Sequence, residues 1–254
     1  MIKRNLIAMS AILISSSTLA QGAPTTGPNN VFIEQLGSSN TITIEQVGGA
    51  NNLGGTNSTA GAWDPPGSAN YGTVTGSNNV VTATQTGTAN LNQYNISGNR
   101  NNFTSSITGN TNKSKLSIGN TANPTNLRNT VGETVVGDTN TMVTNIVGND
   151  ITSTLAVTGG TNVINSDLLS SLGTSTITIG GSSNRLDIQQ ADGAGSNGHS
   201  LTQNITGDYN SIVTQQQGFN DTTVNINTTG SHNTVTVRTT TSVSLSSPMT
   251  AVAR

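Results

Sequence analysis

The stretch Gln35-Leu-Gly-Ser-Ser-Asn40-Thr-Ile-Thr-Ile-Glu-Gln46-Val-Gly-Gly-Ala-Asn51 carries the phrase Gln-x-Gly-x-x-Asn twice, eleven residues apart. The shorter core Gly-x-x-Asn returns in the same step at Gly76/Asn79, Gly87/Asn90, Gly98/Asn101 and Gly109/Asn112. Further copies stand at Gly137/Asn140, Gly159/Asn162, Gly181/Asn184, Gly207/Asn210 and Gly230/Asn233. A fixed short period marks a stacked array, in which each unit buries surface only against its neighbours. Such a chain reads as building material.

Between the glycines the sequence alternates with the period of a strand. Asn40, Ile42, Ile44, Gln46 and Gly48 share one parity; so do Asn210, Ile212, Thr214, Gln216 and Gly218. The other parity holds Thr41, Thr43, Glu45, Thr82 and Thr84, all tolerant of water. Because successive strand residues face opposite sides, the asparagine parity is expected to point inward. Each Gly-x-x-Asn then reverses the chain, which requires at least one backbone position at positive φ, and glycine supplies it. Two strands and two turns make a rung of roughly twenty-two residues, and rungs stacked at about 4.8 Å place each Asn and Gln over its counterpart. The predicted fold is an all-β, cross-β fibre-forming solenoid of about eight to nine rungs, on the order of 40 Å long at that spacing.

Composition supports a thin core. Only 31% of the residues are hydrophobic, where a globular domain would be near half apolar. Charge is equally scarce at 8%, unlike the signature of disorder. A net charge of −2 gives no electrostatic reach toward nucleic acid. Cysteine is absent, which excludes disulfides and thiolate metal sites. Lys3 and Arg4, the apolar run Leu6 to Ile14 and the small residues up to Ala20 read as a secretory signal cleaved after Ala20. Residues 21–28 are then a flexible polar arm, and 29–240 the repeat array. Interruptions are expected at about 52–75, where Trp63-Asp-Pro-Pro66 reads as a loop, and at 119–132 and 191–199. Residues 241–254 are a final strand or a tail.

Gln-x-Gly-x-x-Asn followed by an alternating strand and a second Gln resembles the curlin repeat of bacterial curli fibres, most strongly over 35–51, 79–90 and 210–220. The resemblance implies a secreted functional amyloid: a left-handed β-solenoid that stacks head to tail in the extracellular matrix. It further implies a related nucleator or co-subunit and an outer-membrane export pore as partners. The stacking and turn residues it nominates are Gln35, Gly37, Asn40, Gln46, Gly48, Asn51, Gln85, Gly87, Asn90, Gly98, Asn101, Gly109, Asn112, Gly207, Asn210, Gln216, Gly218, Gly230 and Asn233. The glutamine ladder departs from the family pattern, because Val74, Ile96, Ile107, Val135, Ile146, Val157, Ile179 and Ile205 occupy its slot elsewhere.

No constellation of catalytic residues is legible, so neither enzymatic activity nor a cofactor is expected. His199, in a Gly-rich interruption, and His232, in a turn, are expected on the solvated surface. Asp138, Asp150, Asp187, Asp208 and Asp221 each sit alone in sequence, unlike the carboxylate pair of a glycosidase. Only Asp138 and Asp208 directly follow a turn glycine, too few for calcium-binding repeats. Thr-x-Thr triplets at 41–43, 82–84, 174–176 and 234–236 resemble flat ice-binding faces. Such faces need threonine at the same outward sites in nearly every rung, and Leu91, Gln93, Asn95, Arg185 and Asp187 take those places; ice binding is therefore not expected. No polar cap is legible, and an uncapped solenoid offers strand edges to further copies. The alternative to a fibre subunit is a monomeric solenoid acting as an adhesin or carbohydrate-binding surface protein.

Overall fold

The computed structural model describes residues 12–17, 27–54, 72–119, 128–192, 198–218 and 220–241. It is a β-solenoid in which every strand pairing is parallel, and two sheets face each other across one narrow core. Parallel pairing follows from the coil: the chain crosses to the other sheet at each corner and returns one rung further on, in the same direction.

The first sheet has nine strands. Eight of them come from the array, from Thr41–Gly49 through Asn102–Asn110 and Thr152–Thr158 to Thr223–Thr229. The ninth is Ile12–Ser17, inside the segment read as a leader, which pairs with the edge strand so that Ile12 stands beside Ile42 and Ile14 beside Ile44. The second sheet runs from Asn30–Val31 and Ile33–Leu36 through Lys113–Ile118 to Thr234–Thr241. Rungs repeat at 22 residues wherever nothing is inserted, as between Asn140 and Asn162.

Strands reach into all three of the expected interruptions. Asn52–Gly54 and Gly72–Thr75 are two halves of one strand of the second sheet, aligned with Leu91–Gln93 and Asn95–Ser97. Of the expected interruption at 52–75, residues 55–71, Trp63 among them, lie outside the described residues. A Cβ on Gly72 would come within 3.1 Å of the Tyr94 ring, so glycine suits the point where the strand resumes. Thr130–Val136 and Arg185–Asp192 likewise reach into the stretches read as loops.

The inward parity is the expected one. Ile42, Ile44, Val81, Phe103, Ile107 and Val135 are buried from the first sheet, and Leu116, Met142, Ile164, Leu186 and Ile212 from the second. Tyr94 and Phe103 meet in the core at 6.0 Å between ring centroids. One inward residue carries a carboxyl. Glu133 is fully buried, and its two oxygens accept hydrogen bonds from the hydroxyls of Ser114 (2.6 Å) and Thr144 (3.2 Å) on the facing sheet.

Burial lifts the Glu133 carboxyl above the ordinary carboxylate range, and the two hydroxyl bonds oppose that shift without cancelling it. The folded state therefore keeps a proton that the unfolded chain releases above about pH 4. The stability Glu133 contributes is complete below that pH and is lost as pH rises through the raised folded value. Glu133→Gln keeps the shape and cannot ionise. Denaturant unfolding is expected to show the variant more stable than the parent at pH 8, with the two converging near pH 4; an equal difference at both pH values would contradict a protonated Glu133.

Candidate functional site: the glycine–asparagine corners

The repeated phrase forms the corners, and the eleven-residue copies fall alternately on two of them. One corner leads out of the first sheet and holds Gly48, Gly87, Gly109, Gly137, Gly159, Gly181, Gly207 and Gly230, each followed three residues later by its asparagine. The other leads out of the second sheet and holds Gly37, Gly76, Gly98 and Gly148. Successive copies in sequence, such as Gln35 to Asn40 and Gln46 to Asn51, are therefore not stacked on one another.

Each Gly-x-x-Asn corner uses two left-handed positions, where at least one was expected. Gly109 has φ of 124°, and Thr111, just before Asn112, has φ of 55°. The second position accepts ordinary residues throughout the array, including Ala89, Arg100, Leu172, Tyr209 and His232. The glycine position does not. A Cβ built on Gly109 would lie 1.9 Å from the carbonyl oxygen of Gly137 in the next rung, and one on Gly48 equally close to that of Gly87.

The asparagine completes the corner. At the first corner, Asn112 donates Nδ2 to the Gly137 carbonyl (2.6 Å) and accepts on Oδ1 from both the backbone N–H (3.0 Å) and Nδ2 (3.0 Å) of Asn140. Asn140 repeats this toward Gly159 and Asn162. The ladder runs unbroken through Asn29, Asn51, Asn90, Asn112, Asn140, Asn162, Asn184, Asn210 and Asn233. At the second corner, Asn40, Asn79, Asn101 and Asn129 form the same ladder and then stop. Ile151, Gly173, His199 and Thr222 take the equivalent places, each accepting on its carbonyl an N–H from the rung before, as the asparagines do.

His199 is thus a correction. It is buried, at 1% exposure, in the asparagine slot of the second corner. Its Nε2 donates to the Ala191 carbonyl (3.2 Å), and its Nδ1 faces the N–H and hydroxyl of Thr222 (3.3 and 2.9 Å). The Gly-rich flank that made it look like a surface loop residue is an insertion beside an otherwise regular corner. His232 is exposed as expected and stacks on Tyr209 of the preceding rung at 5.1 Å.

The glutamines of the ladder slot form two separate pairs, and Gln215 donates to Gln189 (2.8 Å) on the opposite parity of the second sheet. Gln46 donates to Gln85 (2.7 Å) in the first sheet near its N-terminal end, and Gln190 donates to Gln216 (2.9 Å) in the second sheet near the other end. Gln35 lies in the second sheet, beside Val74. Gly218 closes the strand that carries Gln216, at φ of 146°. Between the pairs the slot is filled by buried Ile107, Val135, Val157 and Ile179 in one sheet and Ile96, Ile118 and Ile146 in the other.

Four of the aspartates scattered in sequence find partners across rungs, Asp187 among them, which accepts from Asn165 of the rung before (2.7 Å). Asp138 accepts from the Asn110 N–H (2.6 Å), and Asp208 from the Ser182 N–H (2.6 Å), continuing stacked turn contacts outside the asparagines. Asp150 meets Arg128 at 2.7 Å, and Asp187 meets Arg185 at 2.9 Å. Among the described residues no three His, Asp or Glu gather as metal ligands would. No protein-family model, curated protein or solved structure matches the chain.

Two substitutions test this geometry. Gly109→Val should abolish cooperative folding, because its side chain collides with backbone; Gly132→Val, where a Cβ meets nothing within 4 Å, should fold normally by circular dichroism. Asn112→Ala orphans the Gly137 carbonyl and the Asn140 N–H. At about 1–3 kcal/mol for each buried group left unpaired, a loss of about 2–6 kcal/mol is expected in denaturant unfolding. Asn233→Ala, at the last described rung, should cost less than half as much.

Proposed function

We propose that this chain is a secreted structural subunit that stacks on copies of itself along the solenoid axis, forming a curlin-like extracellular fibre for biofilm matrix and adhesion, without catalysis. The observation that carries the reading is the directionality of the asparagine ladder. Each member between the two ends, as Asn112 and Asn140 show, donates its backbone N–H to the Oδ1 of the rung before and its own Nδ2 to the corner carbonyl of the rung after. A ladder of this kind has unlike ends, so one copy's end complements the opposite end of another. Repeated head-to-tail contact does not close and gives a filament.

The terminal rungs support the same reading. Val31 and Ile33 at one end and Val235 and Val237 at the other are only half-buried against the core. They share the inward parity of residues that are fully buried mid-array, so a further rung would complete their burial. By resemblance, a nucleating co-subunit and an outer-membrane pore are the partners. Processing after Ala20 would remove Ile12–Ser17 and open the edge of Thr41–Gly49 to another strand.

A second reading, a monomeric adhesin or carbohydrate-binding protein, is favoured by one feature. The outer side of the second sheet bears an open groove lined by the hydroxyls and amides of Thr73, Thr75, Asn95, Ser97, Ser117 and Asn145, groups suited to sugar.

Thioflavin T fluorescence of residues 21–254, followed by electron microscopy, tests the first reading. A lag that preformed seeds shorten, ending in thin unbranched fibres, is the expected outcome. Replacing Gln35, Asn40, Gln46 and Asn51 together by Ala should lengthen that lag. A β-rich protein that stays monomeric over the time course would contradict assembly and leave the groove as the functional surface.

A further inference from the structure

The two sheets have unlike outer faces, a difference hidden in sequence because the eleven-residue copies alternate between them. On the first sheet, Thr43, Thr82, Thr104, Thr154, Thr176 and Thr202 stand in one file across the rungs, broken at Gly132 and ended by Asn225. Beside it, Thr130, Thr152 and Thr174 form a second file, and Thr86 and Thr108 head a third that resumes at Thr158. These side chains are exposed or half-buried, as their outward parity requires. The residues that argued against a threonine array, Leu91, Gln93, Asn95, Arg185 and Asp187, all lie on the second sheet. That exclusion therefore fails for the first sheet.

We propose that the outer face of the first sheet binds the ordered water lattice at the surface of an ice crystal. Parallel rungs repeat at about 4.8 Å and alternate residues along a strand at about 6.6 Å, so the hydroxyls form a two-dimensional grid. Both spacings lie close to oxygen repeats on the faces of hexagonal ice. Each threonine offers a hydroxyl that can take the place of a lattice water and a methyl that orders the water around it.

The charge distribution selects the same occupant. An ice surface is neutral and excludes ions, whereas an ionised side chain holds its own hydration shell. Among the described residues of the eight array strands, Glu45, at the N-terminal margin, is the one charged residue on the outer face of the first sheet. The second sheet carries Glu34, Lys113, Lys115, Asp167, Arg185 and Arg238 on its outer side. The grid is also fixed in advance by backbone pairing and by the asparagine ladder, so binding orders few side chains. The face exists on a single solenoid, and the inference does not depend on fibre formation.

The test is partition of the full-length chain into a slowly growing ice hemisphere, together with ice-grain size in an annealed frozen sucrose film. The parent should enrich in ice and keep grains small. Thr154→Lys with Thr176→Lys, charged residues in adjacent rungs of the file, should reduce incorporation several-fold. Asn145→Lys on the second sheet should leave it unchanged. Gly132→Thr fills the gap in the file at a position where the Cβ meets nothing within 4 Å, and should raise incorporation. That variant keeps the test decisive if the lysine pair fails to fold by circular dichroism. Exclusion of the parent from ice would overturn the proposal, as would an equal loss in Asn145→Lys. So would exclusion from ice combined with retention on crystalline chitin or cellulose, which would assign the grid to polysaccharide.

Discussion

The structure depends on one close approach. At each regular corner the α-carbon of the turn glycine faces the carbonyl oxygen of the glycine one rung on, at a distance that leaves no room for a Cβ. Rungs can stack at sheet spacing there only because the side chain is absent. The carbonyl so exposed along the axis is then captured by the asparagine amide from the rung before, and the same asparagine accepts the N–H of its successor. Glycine and asparagine are thus two halves of one device. One permits the spacing, and the other satisfies the buried backbone groups that the spacing creates.

With register held at the corners, the core between them is free to vary. That is why glutamine survives only as two pairs, while Ile, Val and Leu fill the same slot in the middle of the array. It is also why a thin core tolerates Glu133 among hydroxyls: Ser114 and Thr144 reach it from the facing sheet because the rungs are fixed in height. A hydrophobic content too low for a globular domain suffices here, since each rung needs only a few inward residues and the backbone satisfies itself.

The period, the inward parity and the glycine corners could be read from residues alone because each is a local, repeated pattern. What could not be read has specific causes. The second left-handed position accepts Ser, Ala, Arg, Thr, Tyr and His alike, so it leaves no compositional trace. His199 occupies an asparagine slot after an insertion that erased the spacing. The aspartates look isolated along the chain because their partners lie about one rung away or, for Arg185, two residues away on the same strand face. The threonine files were obscured for the same reason. Copies eleven residues apart belong to different sheets, and pooling them mixed a uniform surface with a varied one.

The two corners are not equivalent, and the inequality orders the whole molecule. The corner leaving the first sheet keeps its asparagine from Asn51 to Asn233 and contains none of the insertions. The sequence insertions around 55–71, 120–127 and 193–197 follow residues of the second sheet, and at the corner leaving that sheet the asparagine ladder also ends at Asn129. The continuous corner keeps both its spacing and its asparagines, whereas the other corner carries its ladder across 120–127, from Asn101 to Asn129, and then loses the asparagine to Ile151, Gly173, His199 and Thr222. Variation therefore collects on one side of the solenoid, with charge, insertions in the sequence and a groove, while the opposite face is left in register and nearly free of charge among the described residues. A single chain thus presents one regular surface and one varied surface, each suited to a different kind of contact, around a common axial spine.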